Sequence, residues 1–263
     1  MYDCYMKFRE VKPVSALMLR IIACVAMLID HIGFQYNIMA FRAVGRIAFP
    51  IFAYLIGNGF RHTSNRGRYA LRLAAFALIS QVPFSLFAYR ILWHSNGNVF
   101  FTLLLALVSI WAAEELGKRR ELRWAALIPA GMICVAYHIG IMSSDYGARG
   151  ILLALVFYYF DGKTILNRLA MAVGMLLSTY YAYILRLGRA CLLCLRGAGF
   201  QLPSLSKWDG YQIFALLALI FIFCYNGKKG QYPTGKWQAK AMQLGFYLFY
   251  PVHQLVLWIL LFL

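Results

Sequence analysis

Residues 14–36 read VSALMLRIIACVAMLIDHIGFQY. The stretch carries one early arginine and no further charge until Asp30. It is long enough to cross a bilayer as a helix. Comparable apolar segments follow at 45–60, 69–89, 98–116, 124–142, 147–160, 164–185, 211–226 and 243–262. This recurrence decides the fold class: an all-α, polytopic transmembrane helical bundle of about 8–9 spans. The composition agrees. The 263 residues are 62% hydrophobic and only 13% charged, with a mean hydropathy of +0.66. A soluble domain carries about 25% charged residues. The second and sixth segments are short, and the sixth can pair with the fifth as a broken or re-entrant element around the polar run SSDYG. With no long linker, low-complexity tract or clear repeat, residues 1–263 are expected to form a single domain. No cleavable leader is expected, because the first apolar stretch runs on into further spans.

The net charge of +17 comes from many short loops rather than one basic face. That distribution argues against a nucleic-acid partner and for membrane topology, since Lys and Arg collect in cytoplasmic loops. Of the 26 Lys and Arg, 18 fall in alternate loops, beginning with Lys7 and ending with Lys240, and 8 in the others. With nine crossings the N-terminus is expected in the cytoplasm and the C-terminus outside. The localisation expected is multi-pass in a bacterial-type inner or plasma membrane, with the lipid bilayer as a partner. The six cysteines include Cys191-Leu-Leu-Cys194. No second pair or His cluster completes a metal site, so these two are expected to be small buried residues and no metal is expected.

Asp30 and His31 are expensive inside a span, and an ionisable residue there marks a functional site by default. Adjacent helical positions point about 100° apart, so one can face the bundle while the other orients a neighbour. A purely structural role, paired with Arg46, remains open at this point. Gly33 permits close helix approach. Arg46 opens the second segment on the same side as His31, and Pro50 is expected to kink that helix. Asn98, Asp145 and Asp209 stand at expected span starts, where each also serves as a plain N-cap. His253 lies mid-span among Leu, Val and Phe, with no such local reason. Arg61 and His62 fit an ordinary positive flank.

The runs RIIACVAMLIDHIGF (20–34), RAVGRIAFPIFAYLIGNGFRHT (42–63), YALRLAAFALISQVPFSLF (69–87), NVFFTLLLAL (98–107), DYGARGILL (145–153), YQIFALLALIFIFCYNGKKG (211–230) and FYLFYPVHQLVL (246–257) resemble the TraX family, in order and over nearly the whole chain. The namesake acetylates the N-terminus of the conjugative F-type pilin. The family is similar to the type-three integral-membrane acyltransferases, which share a His in the first span, an Arg with a Pro-Phe-rich second span, and a Tyr-x-x-His in the last. The resemblance implies transfer of an acetyl or other acyl group from acyl-CoA to an acceptor amine or hydroxyl, on a protein N-terminus such as pilin or on a cell-surface molecule. Acetyl-CoA is then the co-substrate.

The residues fit that chemistry. His31 is the candidate base, with Asp30 to orient its imidazole. Arg46 or Asn98 can supply oxyanion donors, Asp145 belongs to the same polar set, and His253 is a second acid/base or a donor to the acyl carbonyl. Arg61, Arg68, Arg72 and Lys228 are candidates for the CoA phosphates. The donor on the basic side and the cluster toward the other imply a passage for the acyl group, widened by Gly57, Gly59 and Pro50. Two other classes stay open: a proton-coupled small-solute transporter using Asp30, His31, Asp145 and His253 as a relay, and a non-catalytic membrane assembly factor.

Overall fold

The computed structural model describes residues 13–119, 127–197, 199–205 and 210–261. Among them the regular structure is helical, with no strand beyond two isolated bridges. The helices are α1 (Ala16–Gln35), α2 (Met39–Gly45), α3 (Ala48–His62), α4 (Arg66–Ile79), α5 (Gln81–Tyr89), α6 (Val99–Gly117), α7 (Ile128–His138), α8 (Gly147–Tyr159), α9 (Ile165–Thr179) and α10 (Tyr181–Leu195). A 3-10 turn (Gln212–Leu217) then leads into α11 (Ala218–Phe223), and α12 (Lys236–Ile259) follows.

Among the described residues, three stretches are long and apolar enough to cross a membrane: Ala16–Gln35, Met39–His62 and Val99–Gly117. Counting each bent pair, α4 with α5 and α9 with α10, as one span raises this to five. The expected segments recur as helices, but their lengths decide how they are used. At a 1.5 Å rise, the 13 residues of α8 span about 20 Å against a hydrocarbon core of about 30 Å. The 11 residues of α7 span less. The segment expected as 69–89 breaks at Ser80 by 42°, and the one at 164–185 breaks at Tyr180 by 68°. The 24 residues of α12 are long enough, but Pro251, His253 and Gln254 lower its apolar character.

Helix α3 is the centre, packed on α1, α6, α8 and α11. The buried stripe on α1 runs Leu19, Ala23, Ala26, Met27, Asp30, Gly33, the three-to-four spacing of one helix face. Met18, Ile21 and Val25 on its other side are exposed, as lipid-facing residues are. Ser15 caps α1 by accepting from Met18 N at 3.2 Å. The Lys228 and Lys229 carbonyls accept from Ala16 N and Leu17 N at 2.9 and 3.0 Å, satisfying donors that a helix start leaves open.

Pro50 is the third residue of α3; the carbonyl its missing N–H leaves free is that of Arg46, where the Met39–His62 stretch is interrupted between α2 and α3. One expectation is corrected. Cys191 and Cys194 are exposed free thiols. Their helix α10 buries no residue, and α9 is its principal neighbour among the described residues.

Candidate functional site

Gly33 lies in the last turn of α1, where an added Cβ would meet Phe41 Cβ at 2.7 Å and Arg42 N at 2.9 Å. Only a glycine lets α2 fold back this closely. The return brings Arg42 and Arg46, one helical turn apart, against Asp30. Arg42 Nη1 donates to Asp30 Oδ2 at 2.6 Å, and Arg46 Nη2 donates to Oδ1. Arg46 Nε also donates to the Arg42 carbonyl at 3.1 Å. Asp30 and Arg46 are buried, at 8% and 7% exposure. An unpaired charge there would cost several kcal/mol; one arginine balances the carboxylate, and the second, on its other oxygen, leaves the trio net positive. Gly45 faces the carboxylate so closely that any Cβ would collide with Asp30.

His31 points the other way, to α12. Its Nδ1 lies 2.6 Å from His253 Nε2, and the rings are nearly parallel, with centroids 4.8 Å apart. His253 Nδ1 lies 2.6 Å from the Phe249 carbonyl. A carbonyl only accepts, so that nitrogen must carry a proton. With both rings neutral, His253 Nε2 then accepts from His31 Nδ1–H. The remaining nitrogen, His31 Nε2, is left with its lone pair. His253 is 6% exposed. His31 lines a cavity of about 260 Å³ together with Asp30, Arg42, Arg46, Asp145 and Gln254.

The inward face of α12 is the set Tyr250, His253, Gln254 and Leu257, one helical stripe. Gln254 is 1% exposed. Its amide approaches the Tyr250 hydroxyl, yet neither amide atom closes a hydrogen bond. A buried polar group left so costs about 1–3 kcal/mol, which marks it as waiting for a partner from the cavity. Asp145 is held beside the start of α6 by Gly97, whose N donates to the Ser143 carbonyl at 2.9 Å, while Asp145 N donates to the Gly97 carbonyl at 2.9 Å. Helices α3, α6 and α8 begin at this cavity while α1 and α5 end at it, so dipole ends of both signs face it and the side chains decide its charge. Arg42, Arg46 and Arg149 outnumber Asp30 and Asp145 along its walls. The cavity therefore suits a developing negative charge.

Of the sequence candidates, Asp30, His31, Arg46, Asp145 and His253 converge at one end of the bundle. The carboxylate expected to orient His31 is instead held by two arginines, and His253 takes that position. Asn98 does not line the cavity. It is fully buried, with Nδ2 donating to the Ala77 carbonyl at 2.7 Å and to Gln81 Oε1 at 3.0 Å, while its Oδ1 caps α6 by accepting from Phe100 N at 3.0 Å. Both of its amide groups are committed. Asp209 lies outside the described residues. Arg42 and Gln254 were not among the candidates. Arg42 stands one turn before Arg46, and Gln254 stands four residues after Tyr250, so spacing alone was a usable signal for both.

A second, apolar cavity of about 100 Å³ shares Met27, Phe52, Val99 and Tyr250 with the first and runs to Arg20 and Gln243. Arg20 Nη1 donates to Tyr232 OH at 2.6 Å. Arg20 and Arg72 both lie within electrostatic reach of Tyr69, and Arg72 Nε is buried without a hydrogen-bond partner. Arg68 is exposed. Arg61 is committed elsewhere, ion-paired with Asp161 and donating to the Tyr158 carbonyl. Lys228 lines a separate cleft at the same end of the bundle as Arg20.

The chain is similar to "Probable fimbrial assembly protein FimC, serogroup H1" of Dichelobacter nodosus, with 30% identity over 91% of this chain and 92% of that protein. No solved structure gives a match. A family model described as "TraX protein" matches residues 15–261, and the chain therefore belongs to the TraX family.

Proposed function

We propose that the chain is an integral-membrane acyltransferase that moves an acetyl or other small acyl group from acyl-CoA to an acceptor amine or hydroxyl. The observation that supports it most is the histidine pair: a buried His253 that leaves His31 Nε2 unprotonated at a positively lined cavity. In this reading the acceptor N–H or O–H gives its proton to His31 Nε2 as its nitrogen or oxygen attacks the thioester carbon. The imidazolium is held by His31 Nδ1–H donating to His253 Nε2. The carbonyl oxygen becomes an oxyanion, for which the unpartnered Gln254 amide is the donor. As the tetrahedral intermediate collapses, the C–S bond breaks, and the CoA sulfur takes the proton from His31. Asp30 with Arg42 and Arg46 supports the field and shapes the wall rather than touching the proton.

The shared walls of the two cavities suggest how the donor arrives. From Arg20 to His31 is eleven residues of helix, about 16 Å. The pantetheine arm of CoA is roughly four to five extended residues long, also about 16 Å. Arg20 and Arg72 would hold the pyrophosphate at one end, leaving the nucleotide end free to extend past them, while the thioester reaches His31. The name of the FimC relative makes a fimbrial subunit a natural acceptor, presented at the end of the bundle that carries the cavity. The test is direct: purified protein is given labelled acetyl-CoA and acceptor membranes, and the label is followed. Label should leave CoA for a membrane-associated acceptor. His31→Ala should lower this transfer at least 100-fold, because a positioned base contributes about 10²–10⁴-fold. Transfer within a few-fold of the unaltered protein would remove His31 as the base, and no transfer from acetyl-CoA or longer acyl-CoA donors would overturn the enzymatic reading.

A further inference from the structure

At the end of the bundle opposite the histidine pair, a cleft of about 810 Å³ opens between α3, the α8–α9 turn and the stretch after α11. Its size falls among small-molecule sites. The floor is polar and already ordered. Asn58 Nδ2 donates to Tyr225 OH at 3.1 Å, and Tyr54 OH donates to Asp161 at 3.1 Å. Three cations from three different segments line it: Lys163, Arg168 and Lys228. The guanidinium of Arg168 stands over the Phe223 ring at 5.6 Å. Asp161 is the one acidic residue among those lining the cleft, and it is already ion-paired with Arg61.

Basic residues at a membrane boundary are ordinary by themselves. What sets these apart is their convergence on one concavity, where Asp161, the one carboxylate among the described lining residues, is already ion-paired. Like charges brought together from separate segments repel, and a cleft of one sign concentrates the field inside it. An anion with several oxygens relieves this best, because Lys and Arg both donate to phosphate oxygens. We propose that this cleft is a binding site for a phosphate-bearing ligand. The phosphate has two natural sources: the head group of an anionic phospholipid, which basic pockets between membrane helices take up, and the nucleotide end of coenzyme A. The inference does not rest on the acyl-transfer reading, and its test measures binding without turnover.

The full-length chain is placed in phosphatidylcholine nanodiscs and titrated with coenzyme A. In parallel, nanodiscs containing phosphatidylglycerol are dissolved and the protein is weighed by native mass spectrometry for retained lipid. Both measurements are repeated on the Lys163→Gln/Lys228→Gln variant. Both lysines are exposed, so the variant should keep the fold, which a monodisperse gel-filtration profile verifies. Binding of either probe that weakens at least 10-fold in the variant supports the site. Coenzyme A binding in neutral discs that weakens this way identifies a nucleotide phosphate. Retained phosphatidylglycerol that is lost in the variant, without coenzyme A binding here, identifies a lipid head group. Neither probe binding, or both binding the variant as well as the unaltered protein, overturns the proposal.

Discussion

A histidine is a base only if one ring nitrogen is kept free of a proton, and His31 owes that to a residue far along the chain. His253 Nδ1 is protonated because a carbonyl faces it, and the constraint passes through Nε2 to His31. The two act as a unit, so their losses should not add. His253→Ala should lower turnover strongly, and the His31→Ala/His253→Ala double variant should be no worse than His31→Ala alone. Rates for the four proteins with acetyl-CoA check this, and a multiplicative loss in the double variant would separate the pair. Gln254 makes a different demand. If its amide meets the oxyanion, Gln254→Ala should lower kcat by about 10²–10³-fold with little change in KM. Stability should change little, since relief of the unpaired buried amide offsets the packing lost with a fully buried side chain. A change in KM alone would place Gln254 in binding rather than in the transition state.

At the scale of elements, the hairpin of α1 and α2 is what makes a buried aspartate tolerable. Asp30 sits on the inward stripe of α1 because of its register, and α2 returns two arginines to it. Gly45 is the hinge of that arrangement, since a Cβ there would occupy the place of the Asp30 side chain. Gly45→Ala should therefore displace the carboxylate and strand buried charge, a loss of about 3–5 kcal/mol where a buried pair is broken. Thermal unfolding in detergent measures it. An unchanged midpoint would mean that the carboxylate has another place to go. Helix α12 carries the parallel lesson: its inward stripe of Tyr250, His253, Gln254 and Leu257 orders three polar residues at the price of an apolar span.

For the whole molecule, the question is whether donor and acceptor meet from the same side. The polar cavity and the Arg20 end are connected through shared apolar walls, a geometry suited to delivery of the acyl group along the bundle while CoA keeps its phosphates at the basic end. Sealed vesicles with acetyl-CoA confined to the face bearing Arg20 and Arg72 should acylate an acceptor confined to the other face. Arg72→Gln should raise the KM for acetyl-CoA more than it lowers kcat, because it would act in binding. Turnover only when both substrates share one face would rule out the passage.

The amino-acid sequence by itself determined the helical class, the positions of nearly all the helices and the identity of the polar residues that have no business in lipid. These are local properties: apolar run length, helical periodicity and the cost of a charge can be read within some twenty residues. It also carried the family, through motifs such as DHIG and the Tyr-x-x-His of the last helix. Which residue answers which belonged to the tertiary structure alone. The break at Ser80 has a local cause, since Pro83 cannot donate to the Ile79 carbonyl four residues before it, whereas apolar run length does not set the shortness of α7 and α8. Asp30 looked like the partner of His31 because the two are adjacent, yet adjacency on a helix separates side chains by about 100°. The partner of His31 stands 222 residues away, and that of Asp30 includes an arginine 12 residues away that only the tight turn at Gly33 delivers. Such pairings are set by packing between helices, and no local pattern encodes them.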